Sequence, residues 1–478
     1  IFVSSCGQES NKPGDVTTND NSSETTAPAD DDPFEKDSLP ELNFNGETIN
    51  VLYREDVLDS FYAAEQTGEI VGDAVYKAVR ATEDRIGVTI NPITMAGTAN
   101  ADRENFVNAI ANSVIAGDDS YDLCGVLTFN VPSLIQKGVL SNLMELPHVD
   151  FDKPWWTSDL TDLATVDGKL YMASGDISLE LTQKIFCMLF DKKLAETVNA
   201  GDIYTIVSDG KWTLDKASEI AASAYSDLNG NSEMDDDDRY GISGSWKETM
   251  NRLMLGSGIQ YISKDENDLP VFKLPTDENS INKILHIFDL VSDEQVYRNT
   301  GKVMDTDGDG LGSSEFKGGK LLFYIANMFS LEQMRDFDIE MGFLPCPKYD
   351  EAQEHYYAPS FGSEISTLLK TLPQDRMENV GILLEALAYD TNKSIIPEYK
   401  EVLLKTKYAR DNESEEMIDI IVNSVSFEFG LNAWQDTVAN PLVKNIFVAR
   451  NPSVASTLAK MQSSVDTQIE KLVEKLEQ

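Results

Sequence analysis

Between Thr48 and Val126 the chain alternates strand, helix, strand, helix, strand, and no other feature restricts its fold as strongly. Thr48 to Tyr53 is a short apolar strand. Val71, Val75 and Val79, spaced by fours, predict a helix from about 71 to 86 that Gly87 stops. Val88 to Ile93 alternates as a half-buried strand does. Phe106, Ile110 and Val114 share one face of a second helix ending at Gly117, and Tyr121 to Val126 reads as a buried strand. Such lengths predict right-handed crossovers and a mainly parallel sheet flanked by helices. Ligands of these sheets bind beyond the carboxyl ends of the strands. That rule makes Arg54, Glu55, Thr128 and Phe129 positional candidates, each of which also reads as an ordinary exposed loop residue.

At 478 residues the chain has room for roughly two to four domains or lobes. From Pro154 the texture changes to PWW, then TVDGKLYMASGDISLE, then the apolar strand Ile185 to Phe190, and a second series of strands and helices begins. Within it, Ile281, Ile284, Leu285, Phe288 and Val291 fall at helical spacing, with His286 on the opposite side and without an expected role. A final helix from Ser453 carries the stripe Leu458, Met461, Val465, Ile469, Leu472 and Leu476, which is expected to dock on the body. Cys6, Cys124, Cys187 and Cys346 are too widely spaced for a zinc CxxC pair, and the last three lie in apolar runs as buried free thiols do.

Net charge is −43, from 39 basic against 82 acidic residues. Nucleic acid and anionic membrane surfaces both require basic patches, so this balance argues against them. No internal apolar run approaches the length of a membrane span. Three scattered histidines, His148, His286 and His355, do not suggest a histidine metal centre.

The acids concentrate in one telling place, DLNGNSEMDDDDRYG from Asp227 to Gly241. Oxygen-bearing side chains stand at loop positions one, three, five, seven, nine and twelve: Asp227, Asn229, Asn231, Glu233, Asp235 and Asp238. Ca²⁺ takes oxygens at about 2.3–2.6 Å, and a twelve-residue loop of this spacing wraps them around one point. Ser232 replaces the usual glycine at position six, and Asp238 is shorter than the usual glutamate at twelve. The alternative is a solvated acidic loop. As a Ca²⁺ site the loop reads as structural, not catalytic. A second acidic piece, Asp305 to Gly310, has Phe316 at position twelve and reads as a turn.

Val3-Ser4-Ser5-Cys6, followed by Gly7, resembles the end of a bacterial lipoprotein signal, the alternative being a stray cysteine. By that resemblance residues 1–6 are a signal remnant and Cys6 is the lipidated first residue of the mature protein. Residues 7–45 follow as a Ser-, Thr-, Asp- and Pro-rich stretch with ten acids against Lys12 and Lys36. Such a stretch buries too little apolar surface to offset its chain entropy and is expected to be a flexible tether.

The order of these features resembles the extracellular solute-binding lipoproteins of bacterial ABC importers, the sugar-binding type related to maltose-binding proteins. The resemblance rests on VSSC, YDL (Tyr121 to Leu123), PWW, GKLYMASGD, KWTLDKASEIA (Lys211 to Ala221), the Asp-rich loop ending in RYGIS, FKGGKLLFY (Phe316 to Tyr324) and GFLPCPKYDEAQEHYY (Gly342 to Tyr357), collinear over most of the chain. It implies an α/β fold of the two-lobed periplasmic-binding-protein-like kind, type II, with a ligand cleft between the lobes. The expected division is 46–180 and 356–400 for the first lobe, 181–355 for the second, and 401–478 for C-terminal helices mainly on the second. It also implies hinge closure, delivery of a carbohydrate to a membrane permease, and a location on the extracellular face of the membrane through the lipid anchor.

By the same resemblance Trp246, Tyr324 and Trp434 fall where the family places stacking aromatics, and Asp176 and Ser178 fall near hinge and cleft. Core packing is the alternative for each aromatic, and the stronger one for Trp155 and Trp156. Asp122 reads equally as a ligand contact or a strand-end cap. Sugars suit aromatic platforms combined with carboxylates, amides and arginine. A peptide or other small polar solute is the runner-up within this fold. A secreted glycoside hydrolase is a further alternative, but 82 acids make accidental carboxylate pairs inevitable. GxSxG, HExxH, P-loop and GxGxxG motifs are absent, and no repeats favour an adhesive surface protein.

Overall fold

The strand–helix alternation builds the first sheet as its periodicity predicts. β1 (Glu47–Arg54), α1 (Ile70–Ile86), β2 (Val88–Met95), α2 (Asn100–Ala116), β3 (Leu123–Leu127) and β4 (Leu140–Ser141) follow in order. Gly87 ends α1 in the left-handed conformation, with φ 70°, which glycine enters without a Cβ clash. The computed structural model describes residues 36–37, 39–40, 43–98, 100–235, 237–244, 246–299, 310–334, 339–401 and 412–476. Cys6, nearly all of the expected tether and most of the acidic turn at 305–310 lie outside the described residues.

Chain order continues with α3 (Glu180–Gln183), β5 (Phe186–Asp191), α4 (Leu214–Ala224), β6 (Tyr240–Gly244), α5 (Trp246–Gly256), α6 (Glu278–Ser292), β7 (Tyr297–Asn299), β8 (Leu321–Asn327) and β9 (Met341–Leu344). Then come β10 (Ala358–Pro359), β11 (Glu364–Leu369), α7 (Gln374–Asp390), α8 (Asn412–Val422), β12 (Val425–Ser426), α9 (Phe429–Asn432) and α10 (Val454–Leu476). The first sheet has the order β2-β1-β3-β11-β4 and the second β9-β5-β8-β6-β7. β1 runs parallel to β2 and β3, whereas β11 is antiparallel to β3. In the second sheet β8, β6 and β7 are mutually parallel, and β5 runs against β8 and β9. β3, β5 and β11 are buried along their whole length, as strands covered on both faces must be.

Helices cover both sheets. α1 and α7 pack on each other beside the first sheet, and α4 lies on β6. Thr213 caps α4, its hydroxyl accepting from Lys216 N at 3.3 Å. α4 approaches β6 so closely that a Cβ at Gly241 would sit 2.4 Å from the Ala221 carbonyl oxygen. Trp155 and Trp156 are core residues whose indole nitrogens donate to Glu385 at 3.1 and 2.9 Å. Cys124, Cys187 and Cys346 are buried and free. His286 is not idle on its helix: its Nε2 lies 2.8 Å from Asp215 Oδ1 and its ring meets Tyr349 edge-on.

Two passages join the sheets, and a later segment, β12, is hydrogen-bonded beside them. Ile185, entering β5, bridges Ser360, and β10 pairs in parallel with β12. Ala358 N and Ser360 N donate to Ser424 O and Ser426 O at 2.7 and 2.9 Å. The last helix touches both lobes. Gln462 Nε2 of α10 donates to Phe272 O on the second lobe, and Lys169 Nζ, on the first, donates to Leu476 O near its end. Five of the six predicted stripe residues of α10 are buried, and Ile469 is partly so.

Candidate functional site

Parallel strands leave their last backbone groups and the following loops at one edge of a sheet. Here the carboxyl ends of β1 and β3 meet the amino end of β11, since Leu127 stands opposite Glu364. In the second sheet the carboxyl ends of β6, β8 and β9 meet the amino end of β5, with Asn327 opposite Phe186. Side chains from these two edges approach each other at the passages between the lobes.

The centre of the first edge is a buried charge network. Arg54, ending β1, reaches Asp56 at 2.9 Å, Glu364 at 3.3 Å and Glu180 at 3.6 Å. Glu180 belongs to the first passage and accepts from Glu364 N at 2.5 Å. Arg54, Glu180 and Glu364 are each at least 96% buried. Burial pushes the Glu364 carboxyl well above its usual range, with Glu180 adding to the rise and Arg54 opposing it. Burial raises Glu180 too, and Arg54 and Lys184 offset part of it. Burial alone would lower the Arg54 guanidinium, but Asp56, Glu364 and Glu180 outweigh it.

Aromatic rings flank this network. Phe129 and Phe361 pack with centroids 5.1 Å apart, and the Arg103 guanidinium lies 5.1 Å above Phe129. The Arg252 guanidinium of α5 is fully buried, 3.7 Å from the Phe186 ring centre and 4.8 Å from that of Phe361. Its Nη2 reaches Glu248 at 2.5 Å, while Nε and Nη1 are buried without hydrogen-bond partners. Phe329, just past the end of β8, keeps 40% of its surface exposed, with Lys184 Nζ 5.7 Å from its ring. Asn130 Nδ2, Gln435 Nε2, Ser243 Oγ and Ser363 Oγ are also buried without protein partners. Buried polar groups left unpaired by the protein are costly unless something else binds them.

The predicted site residues fall into separate groups. Arg54, Thr128 and Phe129 stand at the sheet edge, as the carboxyl-end rule expects, and Thr128 Oγ1 donates to Asn432 Oδ1 at 3.4 Å. Glu55 is exposed there, its N–H bonded to Met95 O at 3.1 Å. Ser178 Oγ accepts from Glu180 N at 3.1 Å in the first passage. Asp176 accepts from Asn392 Nδ2 at 2.7 Å, and burial pushes its carboxyl up to about 6.

Four positions are corrected. Asp122 precedes β3, so it lies at the opposite, amino-terminal edge. There it accepts from Asn50 N at 2.7 Å and from Arg376 Nε at 2.6 Å, tying a strand end to α7. Trp246, Tyr324 and Trp434 are core residues, all at least 95% buried. The Trp246 ring packs against Tyr297 and Phe447, Tyr324 against Phe316, and Trp434 against Phe429. Tyr324 is mid-strand in a sheet covered on both faces, so its ring has no route to the crevice. The aromatic overlooked was Phe329. The carboxyl-end rule, applied to the second sheet as well as the first, points to it and to Lys247.

The acidic loop is closed by its own backbone. Asp227 accepts from Gly230 N at 2.6 Å and Ser232 N at 2.8 Å, and Asn229 and Asn231 accept from Asn231 N and Glu233 N. Asp238, 1% exposed, accepts from Leu228 N and Asp235 N. Asp235 takes hydrogen bonds from both asparagine amides, and its carboxyl lies below the usual range chiefly through Asp237 N. Glu233 is exposed. Among the described residues no three His, Cys, Asp or Glu side chains gather as a metal ligand set.

Two mainly parallel α/β lobes, hydrogen-bonded passages and a crevice at their facing strand ends define the type II periplasmic-binding-protein-like fold. Solved structures share it across most of their length. The cyclic α-maltosyl-1,6-maltose binding protein of Arthrobacter globiformis is similar at TM-score 0.60 and 13% identity, covering 89% of this chain and 99% of that one. The galacto-N-biose/lacto-N-biose I-binding protein of a Bifidobacterium longum ABC transporter gives 0.56 and 14%, covering 90% and 98%. A Staphylococcus aureus extracellular solute-binding protein in complex with maltose gives 0.56 and 14%, also over 90% and 98%. No protein-family model matches the sequence, and no curated protein matches it significantly.

Proposed function

We propose that this protein is the extracellular solute-binding component of an ABC importer, capturing a carbohydrate, an oligosaccharide by preference, between its lobes and delivering it to a membrane permease. The observation that carries the reading is the facing of the two strand-end edges, where Phe129 and Phe361 on the first and the exposed Phe329 on the second offer aromatic faces, and Asn130 and Ser363, close in sequence to the first pair, carry buried polar atoms the protein leaves unsatisfied. A sugar ring presents C–H faces to the aromatic rings and hydroxyls to the polar atoms. The ligands named for the similar solved structures, maltose and lacto-N-biose among them, belong to the same chemical class.

The site works by binding, not catalysis. Closure about these passages would bury the sugar and present one closed surface to the permease. The anchor belongs to this reading: Cys6 carries the lipid, and the acidic stretch behind it holds the body at the outer membrane face. Ca²⁺ at residues 227–238 is part of it too. The ion must displace the amide donors of Asn229 and Asn231 from Asp235, and it would stiffen the second lobe at a distance from the sugar.

A thermal-shift screen of the whole protein against mono- and oligosaccharides, amino acids and peptides tests the function. A ligand that binds only the folded state adds about 2.7 kcal/mol at a hundred times its dissociation constant, which such a screen detects. A shift with one glycan family and no product supports the importer reading. A shift with peptides alone, or turnover of any sugar, overturns it.

A further inference from the structure

Of the crevice rings, Phe329 is the most exposed, with 40% of its surface open. Its position is tied to the first passage. Phe329 stands in the first turn of the short helix Met328–Gln333, which packs on α3 of that passage. Met328 N donates to Ile185 O at 3.0 Å. The residues flanking this bond, Lys184 and Phe329, are thereby brought together, and the Lys184 ammonium lies 5.7 Å from the Phe329 ring centre.

Lys184 stands over that ring with its donors unused. Lys184 N donates to Glu180 O at 2.9 Å, closing one helical turn, so the two side chains leave the passage on the same side. Lys184 is half-buried, yet among the described residues its ammonium makes no hydrogen bond and no ion pair. A cation 5.7 Å from a ring centre is at the outer limit of a cation–aromatic contact. Such a contact occupies none of the ammonium's N–H donors.

The neighbours decide which ligand group those donors suit. Glu180, Asp56 and Glu364 surround Arg54 at the adjoining edge, three carboxylates about one guanidinium. Glu180 Oε1 and both Glu364 oxygens are buried acceptors without hydrogen bonds. An anionic ligand group would be repelled there, and a cationic one would meet Lys184. A neutral hydroxyl avoids both and accepts from an ammonium. A pyranose packed on an aromatic face stands about 3.5–4 Å above it. That height brings its hydroxyls within hydrogen-bond reach of a donor 5.7 Å from the ring centre.

We infer that Lys184 is a ligand-contacting residue of the first passage, donating to a hydroxyl of the same sugar unit that stacks on Phe329. This rests on the sugar-binding reading above and adds to it the residue that fixes how the stacked ring is turned. A face contact with Phe329 is indifferent to rotation of the sugar in its own plane, whereas a hydrogen bond from a positioned donor selects one orientation. Because Lys184 belongs to a passage, the sugar is held from the hinge as well as from the second lobe.

The test is calorimetric titration of the whole protein with maltotriose, cellotriose, laminaritriose and lacto-N-biose, for the parent, Lys184→Met, Lys184→Arg and Phe329→Ala. Methionine keeps the apolar stem and removes the donors, so Lys184→Met should bind the parent's sugar about tenfold more weakly. Lys184→Arg still donates and should bind closer to the parent. Without sugar, both variants should melt with the parent. Two side chains that hold one ring are coupled, so combining Lys184→Met with Phe329→Ala should lose less than the product of the single losses. Parent-like binding by Lys184→Met overturns the contact, and fully multiplying losses overturn the shared ring; either result leaves the sugar reading standing. A parent that binds none of these sugars overturns both.

Discussion

Arg54 Nη1 lies 3.3 Å from Glu364 Oε2, with 2% and 0% of the two side chains exposed, so β1 and the return strand β11 are joined by a buried charge. Through Glu180, 3.6 Å away, the same guanidinium also holds the first passage between the lobes. The three connected segments are remote in sequence and meet only in the folded chain.

Arg54→Met should leave Glu180 buried without its cation and lower the unfolding free energy by about 3–5 kcal/mol. Denaturant unfolding reads this as a lower midpoint at unchanged slope. Adding Glu364→Gln to that variant should recover part of the loss, because fewer uncompensated acids remain. A single variant as stable as the parent would show that the network contributes nothing.

Stability should fall as pH rises through neutrality. Glu428 accepts from Tyr261 N and Ile262 N at 3.0 and 2.8 Å, yet burial pushes its carboxyl up to about 7; Asp176 is pushed up to about 6. Both folded values lie above those of the unfolded chain, so their contributions are complete below about pH 4 and are lost as pH rises through about 6 and 7. The melting temperature should therefore drop between about pH 5 and about pH 8, and Glu428→Gln should flatten that slope. A parent protein that melts higher at the alkaline end contradicts the assignment.

Phe329 and Trp246 should respond oppositely to truncation. Phe329→Ala, at an exposed ring, should weaken the sugar by about 2- to 10-fold and leave the melting curve in place. Trp246→Ala empties a packed site between Tyr297 and Phe447 and should cost about 3–5 kcal/mol of stability. Paired titration and unfolding of the two variants separate the roles; loss of affinity in neither would remove Phe329 from the site.

Ca²⁺ should raise the melting temperature relative to chelator, and Asp227→Ala should abolish the difference while leaving sugar affinity nearly unchanged. Asp227 also holds Gly230 N and Ser232 N, so the variant should melt lower even in chelator. Identical parent curves with and without Ca²⁺ would leave the loop as the self-bonded turn its hydrogen bonds already describe.

What the sequence determined by itself was whatever depends on near neighbours. Helical spacing placed the buried faces of α1, α2 and α10, Gly87 and Gly117 marked helix ends, and apolar runs and alternation placed the first three strands. Strand direction, combined with the carboxyl-end rule, was enough to place Arg54, Thr128 and Phe129 at the sheet edge. The same rule, fully applied, would have excluded Asp122, which stands before its strand instead of after it. Only the tertiary structure decided which side chains share the crevice. Trp246 and Phe329 are both aromatics just beyond a strand, and no local pattern distinguishes the ring that packs on Tyr297 from the ring left open. The burial of Arg54 with Glu180 and Glu364 arises where segments distant in sequence face each other. Backbone periodicity is a property of a few consecutive residues, whereas desolvation and charge pairing are set by whatever the rest of the chain places within a few ångströms.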